Sequence, residues 1–493
     1  MREDLVLAID AGGTAVKVAL FDGRGEARGQ AQADVRTSHL PDGRVERDPD
    51  AFWSATARAI RSVVTDLPAG QLRAVACTGF GNGVFTVDAE GAPVAPGTVS
   101  VDHRAQPLVD RLGRAGCLSA LAELNGCRLW GGQTAAQIAF LAETAPETFA
   151  RVRWFLSCKD YLRFRLTGAA ATDQTDASGG GLMAADGAGY ALRLFAALGR
   201  PDMAERLPPI RTGSATSGRV SALAARETGL PEGLPVAGGL MDVAACALGS
   251  GVNGPERIAM IAGTWAINAL EVATPPAREP PILNMVHRDG AARLVAEGSP
   301  SSAANLGWYL GRGIGGRMDA AGALARVDEA AVEGRRCHFL PFVHGPTPRR
   351  GAFIGLTAGD DEGTMLRAIC EGVAFQHRRH AEEILPHGGG RWPEAIRLSG
   401  GAARSAVWAR IFADICQCPV EVVAADEVGA LGAAMCAAVA GGVHPDLTTA
   451  QAAMSRVGGR YEPRAEHAEF YAGRYAEFLR LDRGMLELGA ALA

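Results

Sequence analysis

The chain has 493 residues, of which 48% are hydrophobic and 21% are charged, with a formal net charge of −5 at pH 7. This length exceeds one hydrophobic core, so we expect two large domains, and the charge argues against nucleic acid or an anionic membrane as the main partner. No apolar run approaches the ~20 residues of a membrane span and no signal peptide is evident, so we predict a cytoplasmic protein. The ten cysteines are scattered without a CxxC pair, which makes a structural zinc site or disulfides unexpected.

The first motif is an apolar segment over residues 7–22 that is interrupted by Gly12, Gly13 and Thr14. The pattern predicts two strands joined by a small turn whose backbone N–H groups a phosphate can approach closely. Asp10 ends the first strand and is placed to hold a magnesium ion through water, since Mg²⁺ keeps most of its hydration. The segment has neither the Walker nor the dinucleotide-binding pattern. An ordinary type I′ or II′ hairpin with a solvated Asp10 is the alternative.

The elements that follow indicate the fold class. Hydrophobic patterning predicts a third strand over 25–35, a helix over 49–67, and strands over 72–78 and 83–88. Three strands, a helix and a further strand fit a ribonuclease-H-like core better than a Rossmann unit. A helical insertion is predicted over 104–166. It is followed by a segment over 173–189, rich in Gly, Ser and Asp, that we expect to be a loop bordering a cleft.

An acidic residue follows the next predicted strand, over 234–238. The chain passes through Gly239 into a helix that begins near Val243, and Asp242 lies at the helix start. Asp242 can serve as an N-cap, which is its ordinary structural role. It can also serve as a general base that takes a proton from an attacking alcohol beside a phosphate site. The helix ends at Gly249 to Gly251, where we place the boundary between domains 1–250 and 251–493.

The first motif returns about 250 residues later. Residues 258–270 align without a gap on the first hairpin, and Gly263 and Thr264 fall on Gly13 and Thr14. This repetition suggests a duplicated domain with a phosphate chain bound between the copies. Met260 stands at the position of Asp10, so a metal-side acid is expected in the first half only.

A fourth motif begins with a strand that opens onto Gly400 and Gly401 and continues into a helix over 406–415. Paired glycines let a flat ring lie against bare backbone, and the start of the following helix can face a ribose and phosphates. A tight strand-to-helix turn without a ligand is the alternative.

Together, these four motifs resemble the FGGY carbohydrate kinases of the actin/hexokinase/Hsp70 superfamily over nearly the whole chain. The resemblance implies an α/β protein with two ribonuclease-H-like domains and an interdomain cleft. It implies Asp242 as the catalytic base and Asp10 as the residue beside Mg²⁺. The implied ATP-binding residues are Gly12, Gly13, Thr14, Lys17, Gly263, Thr264, Gly400, Gly401, Ala402 and Ser405. The implied sugar-binding residues are Asn82, Asp102, Arg104 and Asp242, for which polarity of a surface loop is the alternative explanation.

Within the family, segments 158–162, 260–266 and 298–302 resemble the L-xylulose (3-keto-L-gulonate) kinases. The implied reaction is ATP- and Mg²⁺-dependent phosphorylation of the terminal hydroxyl of a ketose, such as the pentulose L-xylulose. Another ketose or polyol (D-xylulose, L-ribulose, erythritol or glycerol) is the first alternative. An actin- or Hsp70-like nucleotide switch without sugar kinase activity is the second. The expected partners are the sugar and ATP, and the resemblance suggests a homodimer.

Overall fold

The computed structural model describes residues 4–41, 43–274, 279–330, 332, 334, 336–344 and 349–491. The chain divides into two compact units, each built from three separate stretches of sequence. Unit 1 comprises Met1–Gly251, Val272–Val295 and Ala425–Arg456, and unit 2 comprises Val252–Glu271, Ala296–Ala424 and Val457–Ala493. Strands and helices are numbered below in chain order.

Unit 1 contains the first hairpin and a large mixed sheet. Its strands are β1 Leu5–Ala11, β2 Ala15–Asp22, β3 Ala27–Asp34, β4 Ser38–His39, β5 Val45–Arg47, β6 Leu72–Gly79, β7 Phe85–Val87, β8 Pro93–Ala95, β9 Gly97–Thr98, β10 Trp154–Leu156, β11 Thr172–Asp173, β12 Ile210–Arg211, β13 Thr216–Arg219, β14 Pro235–Ala237, β15 Leu240–Met241 and β18 Leu283–His287. Its helices are α1 Pro49–Val64, α2 Gln106–Arg114, α3 Leu118–Asn125, α4 Thr134–Thr144, α5 Pro146–Arg151, α6 Cys158–Thr167, α7 Gln174–Gly179, α8 Leu192–Ala197, α9 Ala222–Thr228, α10 Asp242–Gly249, α15 Val428–Ala440 and α16 Leu447–Met454.

The main sheet of unit 1 has the strand order β13-β14-β6-β1-β2-β3, and β15 also pairs with β6. Strand β2 is antiparallel to both β1 and β3, whereas β6 is parallel to β1 and to β14. This arrangement is the predicted ribonuclease-H-like core. The alternation of side chains along β1 places Leu5, Leu7 and Ile9 in the core that includes α1. Asp10 therefore lies on the opposite face, where α15 packs against β1 and β6.

The backbones of helices α10 and α15 approach each other more closely than a side chain at Gly249 or Gly432 would allow. A Cβ on Gly249 would lie 2.2 Å from the Val428 carbonyl oxygen, and one on Gly432 would lie 2.0 Å from the Ala245 carbonyl oxygen. Real Cβ atoms do not approach backbone atoms so closely, so these two glycines permit the contact. Because Gly249 ends α10 and Val428 begins α15, the C-terminal end of α10 meets the N-terminal end of α15.

Unit 2 contains the second hairpin. Its strands are β16 Arg257–Ala262, β17 Ala266–Val272, β19 Ala292–Ser299 (whose first four residues belong to the unit 1 stretch), β20 His338–Leu340, β21 Ala352–Ile354, β22 Ala395–Gly400, β23 Val420–Val423 and β24 Val457–Tyr461. Its helices are α11 Ala304–Trp308, α12 Ala320–Glu329, α13 Glu362–Ile384, α14 Ala406–Cys416 and α17 Ala468–Ala491. From β19 onward its sheet has the order β19-β17-β16-β22-β23-β24. This order repeats that of unit 1 read from β3, and so the predicted duplication is present in the fold.

The two hairpins nevertheless differ by one residue. In the first hairpin Asp10 pairs with Lys17. At the aligned position of the second, Met260 pairs with Asn268 and not with Ile267. The second turn is therefore one residue longer, and the gap-free alignment on which the duplication was predicted fails beyond the turn.

Two other expectations about local structure are wrong. The segment predicted as a loop over 173–189 begins with helix α7, because the Asp173 side chain accepts hydrogen bonds from the amides of Thr175 and Asp176 as an N-cap. The type I′ or II′ alternative for the first turn also fails. Both turn types need a positive φ, and none of Gly12, Gly13 and Thr14 has one.

Within the residues that the structure describes, no helix is both long enough and apolar enough to cross a membrane.

The turn before α10 allows a test of backbone packing. Gly239 has φ +76°, and a Cβ there would lie 2.0 Å from the Cys77 carbonyl oxygen. Gly233 has φ +79°, but a Cβ there would meet no atom of the described residues within 4 Å. Both alanine variants carry the left-handed strain of about 1–2 kcal/mol. We expect Gly239→Ala to lose roughly 2 kcal/mol more because of the clash, measured as a lower midpoint of thermal unfolding. Equal midpoints for the two variants would contradict the packing described here.

Candidate active site

The turn of the first hairpin is open on its outer side. Gly13 and Thr14 are exposed, and a Cβ on Gly13 would have no heavy atom of the described chain within 4 Å. Neither a positive φ nor tight packing thus requires glycine at this position. A bare backbone with outward amides suits the approach of an anion.

Asp10 lies beside this turn on the face of the sheet that α15 covers. A Cβ on Gly429, in the first turn of α15, would lie 2.9 Å from the Asp10 Oδ2 atom. Burial raises the pKa of Asp10 to about 6, an effect that Lys17 opposes and Glu427 reinforces. One carboxylate near a phosphate site is the type of ligand set that Mg²⁺ uses, because the ion retains several waters.

Lys17 already has a protein partner. Its ammonium lies 2.7 Å and 2.9 Å from the two carboxylate oxygens of Glu427, the residue before α15. A phosphate that reached Lys17 would therefore compete with this half-exposed ion pair. Exposed ion pairs of this kind contribute little free energy, so a phosphate could displace Glu427 from Lys17 at a small energetic cost.

Asp242 is the first residue of α10, and Met241 precedes it at the N-cap position. Its Oδ1 atom accepts a hydrogen bond of 2.7 Å from the Val243 amide, and its side chain is partly exposed. Burial, assisted by the negative charges of Asp10 and Asp176, raises the pKa of Asp242 to about 7. A carboxylate with this pKa is suited to take a proton near neutral pH.

The backbone before Asp242 is fixed by buried polar groups. The Met241 amide donates a hydrogen bond of 2.7 Å to the Thr175 hydroxyl, and the Thr78 hydroxyl donates one of 2.8 Å to the Leu240 carbonyl. Helix α7, which carries Thr175, is thus a direct support of the Asp242 position. Composition alone suggested only a loop there, so the sequence analysis missed this role.

A buried charge cluster holds α7 in turn. The Lys159 ammonium lies 2.6 Å from Asp160, 2.9 Å from Asp173 and 3.0 Å from Asp176. These carboxylates and Lys159 are all at least nine-tenths buried. Burial raises the pKa of Asp176 to about 7. From the sequence alone, residues 158–162 show a resemblance to a family segment but indicate no role.

The predicted sugar-binding residues also lie in unit 1. Asn82 is buried with φ +59°, and its Oδ1 atom accepts a hydrogen bond of 3.4 Å from the Thr134 amide. Asp102 is completely buried and accepts hydrogen bonds from the Val45 amide and from the amide and guanidinium of Arg104. These bonds use about as many acceptor sites as a carboxylate has. Of this pair, Arg104 is the more exposed residue.

Arg47 is a residue that the sequence analysis missed. It ends β5, is 1% exposed, and its guanidinium donates hydrogen bonds to the carbonyl oxygens of Gly12 and Gly13. No pattern in the sequence marks it, because the contact joins residues more than 30 positions apart.

In unit 2, the second turn lies next to the paired glycines of the fourth motif. Strand β16 is parallel to β22, with Ala262 paired to Gly400, and a Cβ on Gly400 would lie 2.6 Å from the Ala262 carbonyl oxygen. Gly401 and Thr264 are exposed. The two motifs, far apart in sequence, therefore form one exposed backbone surface within this unit.

Two predicted nucleotide-binding residues are internal to unit 2. Ala402 is completely buried. The Ser405 hydroxyl caps α14 by accepting a hydrogen bond of 3.2 Å from the Trp408 amide. Both residues shape the glycine segment and the helix that follows it.

No cluster of three or more His, Cys, Asp or Glu side chains that could hold a metal ion occurs in the described parts of the chain. A magnesium site with one protein carboxylate and phosphate ligands, such as the one expected at Asp10, needs no such cluster.

Two sheets of ribonuclease-H-like order, each with a glycine hairpin at its centre, define a protein of the actin/hexokinase class. Residues 5–249 match the N-terminal domain of the FGGY family of carbohydrate kinases and residues 258–441 match its C-terminal domain. The chain therefore belongs to the FGGY family of carbohydrate kinases, and it is a sugar kinase. Membership confirms the predicted family and fold, and it argues against a nucleotide switch without kinase activity.

Individual relatives give a finer comparison. The chain is 29% identical to the L-xylulose/3-keto-L-gulonate kinase of Escherichia coli (strain K12) over 90% of each chain. It is 31% identical to the erythritol kinase of Brucella abortus (strain 2308) over 91% of this chain and 90% of that one. Among solved structures, the xylulose kinase from Rhodospirillum rubrum superposes with a TM-score of 0.85 at 26% identity, covering 99% of this chain and 100% of that one.

The raised pKa of Asp242 yields a prediction that does not depend on activity. Burial raises the pKa of Asp242 from the usual range of an aspartate to about 7 in the folded protein. Folding therefore favours the protonated carboxyl, and this group's contribution to stability is lost as pH rises from about 4 through about 7.

Asp242→Asn removes the penalty at high pH. We expect the variant to be about 1–3 kcal/mol more stable than the parent at pH 8, with the gain shrinking towards pH 4. Thermal unfolding at several pH values measures this, with Asp66→Asn, an exposed aspartate, as the matched control. A gain that is independent of pH would be inconsistent with the raised pKa of Asp242.

Proposed function

We propose that this carbohydrate kinase transfers the γ-phosphoryl group of ATP to the terminal hydroxyl of a ketose, and that the ketose is a pentulose such as L-xylulose. The observation that carries the proposal is Asp242, a carboxylate at the N-terminus of α10 with a pKa raised to about 7. The similarity to an L-xylulose/3-keto-L-gulonate kinase over 90% of each chain supports the choice of sugar.

In the proposed reaction Asp242 accepts the proton of the sugar hydroxyl while that oxygen attacks the γ-phosphorus in line. The O–H bond breaks, a new P–O bond forms, and the bond to the β-phosphate oxygen breaks, so that ADP leaves. Most of the rate acceleration would come from positioning and charge neutralisation, as is general for phosphoryl transfer. The hydrogen bond that the Met241 amide donates to the Thr175 hydroxyl would keep Asp242 in place.

The proposed phosphate contacts are backbone amides at both turns, over Gly12 to Thr14 and at Gly263 and Thr264. Asp10 would hold Mg²⁺, which when bound neutralises charge on the β- and γ-phosphates. For the nucleoside we propose the exposed glycines Gly400 and Gly401, with Ala402 and Ser405 as structural support. Lys17 would reach a phosphate only by leaving Glu427.

For the sugar we propose contacts from Asn82, Arg104 and Asp242. The buried carboxylate of Asp102 would orient the Arg104 guanidinium, from which it accepts hydrogen bonds of 2.7 Å and 2.9 Å. A fixed guanidinium presents donors in a defined direction, which is how a site distinguishes hydroxyl configurations.

Erythritol or another polyol is the second candidate. The 31% identity to an erythritol kinase supports it, and the same base and phosphate contacts would serve either substrate. As further parts of this proposal, the functional domains are 1–250 and 251–493, and the protein acts in the cytoplasm as a homodimer. The limits of the two family domains support the first of these points.

The deciding experiment measures ADP release with ATP and Mg²⁺ against L-xylulose, 3-keto-L-gulonate, D-xylulose, L-ribulose, erythritol and glycerol. We expect the highest kcat/KM with a ketopentose. Asp242→Asn should lower kcat by roughly 10²–10⁴-fold, the usual worth of a general base, with ATP affinity nearly unchanged. Asp66→Asn, at an exposed position, should behave as the parent. Parental turnover in Asp242→Asn would remove Asp242 from the base role, and a preference for erythritol would select the second candidate.

The magnesium assignment has its own test. Asp10→Asn keeps the shape of the side chain and removes its charge, so the Mg²⁺ concentration for half-maximal activity should rise about tenfold. A Mg²⁺ titration of the variant and the parent at saturating sugar measures the change. An unchanged Mg²⁺ requirement would show that Asp10 does not act through the metal.

A further inference from the structure

Arg47 is a buried cation beside the first turn. Its side chain is 1% exposed, and no carboxylate of the described residues forms an ion pair with it. The guanidinium instead lies over the rings of Phe52 and Phe80, at 4.9 Å and 5.2 Å from their centroids. Cation–π contacts offset only part of the free-energy cost of burying a charge, so other contacts must also stabilise the buried guanidinium of Arg47.

All the hydrogen bonds of Arg47 point to the first turn and its neighbourhood. Nη1 donates to the Gly12 carbonyl at 3.3 Å, and Nη2 donates to the Gly13 carbonyl and, at 3.2 Å, to the Thr37 hydroxyl. Thr37 in turn donates to the Gly13 carbonyl at 3.3 Å. Two successive peptide groups are thus held by their oxygens.

This pattern fixes the direction of the amides. In a trans peptide the C=O and N–H bonds point in opposite directions. With the oxygens of Gly12 and Gly13 turned towards Arg47, the N–H groups of Gly13 and Thr14 point away from it, towards the open outer side of the turn. Two outward amides in succession form a small anion-binding concavity.

We propose that Arg47 is the positioning residue of the first phosphate turn: it orients the Gly13 and Thr14 amides towards the nucleotide and stabilises the bound phosphates from behind the peptide plane. This inference rests on the proposed function, because it takes ATP as the ligand. Arg47 does not touch the phosphates and acts through the two peptide groups.

The expected size of the effect follows from distance. One peptide group and two hydrogen bonds separate the guanidinium from a bound phosphate oxygen by roughly 8 Å. At an effective dielectric constant of about 20, a unit charge at that distance changes affinity by about thirtyfold. Loss of the oriented amides acts in the same direction.

The test compares nucleotides that have and lack phosphates. Calorimetry would measure the Kd of ATP, ADP and adenosine for the parent, Arg47→Met, Arg47→Lys and the control Arg58→Met. Arg58 is an exposed arginine on α1, so its removal causes the same charge change without contact to the turn. We expect Arg47→Met to weaken ATP and ADP by about tenfold or more, and adenosine by less than about twofold. Arg47→Lys should lie between, because lysine keeps the charge but not the fork of donors.

Two results would overturn the inference alone: unchanged ATP affinity in Arg47→Met, or an equal loss for ATP and adenosine, which indicates a merely structural role. If Arg47→Met does not fold, Arg47→Lys and Arg47→Gln are judged by the same ratio of ATP to adenosine affinities. A parent protein that binds ATP no more tightly than adenosine would overturn the proposed phosphate site itself, and the inference with it.

Discussion

The contact between helices α10 and α15 is the constraint on which the candidate site of unit 1 depends. Gly249 and Gly432 let the two backbones touch, since a Cβ at either position would lie within 2.2 Å of a carbonyl oxygen of the other helix. The contact joins the C-terminal end of α10 to the N-terminal end of α15. Asp242 starts α10, and Gly429 lies in the first turn of α15 against Asp10. A side chain at Gly249 or Gly432 would displace α15 and, with it, the helix turn that packs against Asp10, so a packing requirement and a chemical one meet at this helix pair.

The pKa values of the buried acids in unit 1 depend on the small number of cations that contact them. Lys159 contacts three carboxylates, and Arg163 adds a contact of 3.1 Å to Asp160. Two cations lower the pKa of Asp160, whereas burial raises the pKa of Asp176 to about 7. A shortage of positive charge leaves one acid in the cluster readily protonated. The negative charge of Asp176 in turn helps to raise the pKa of Asp242. The cluster therefore influences Asp242 electrostatically as well as through the backbone.

Local patterns predicted the hairpins, the acid at the start of α10 and the strand that opens onto Gly400, because each is encoded by adjacent residues. The same patterns could not predict Arg47, whose partners are carbonyl oxygens of Gly12 and Gly13. Backbone acceptors leave no mark in the sequence. The loop expected over 173–189 failed for a related reason: glycine, serine and aspartate favour both loops and helix caps. Here the Asp173 cap and the Lys159 contacts select the helix. Site residues whose partners are backbone groups distant in the sequence therefore cannot be predicted from a single sequence.

The two hairpins show how a duplicated fold can divide its work. In unit 1 the strands beyond the turn carry a charged pair, Asp10 and Lys17, at facing positions. In unit 2 the corresponding pair is Met260 and Asn268. The Asn268 amide oxygen lies 3.0 Å from His377 Nδ1, and burial lowers the pKa of that histidine to about 3, so the contact is neutral.

This difference has a physical reason if both turns bind phosphates. A second carboxylate beside the nucleotide would add repulsion without adding a metal ligand that Mg²⁺ needs, since the ion is satisfied by few protein oxygens. A neutral, hydrogen-bonded strand keeps the turn rigid at no electrostatic cost. The second turn is one residue longer and exposes Thr264, so its surface differs from that of the first turn in shape without an added charge. We infer that the copies diverged in charge next to the turns while the order of strands that supports them stayed the same.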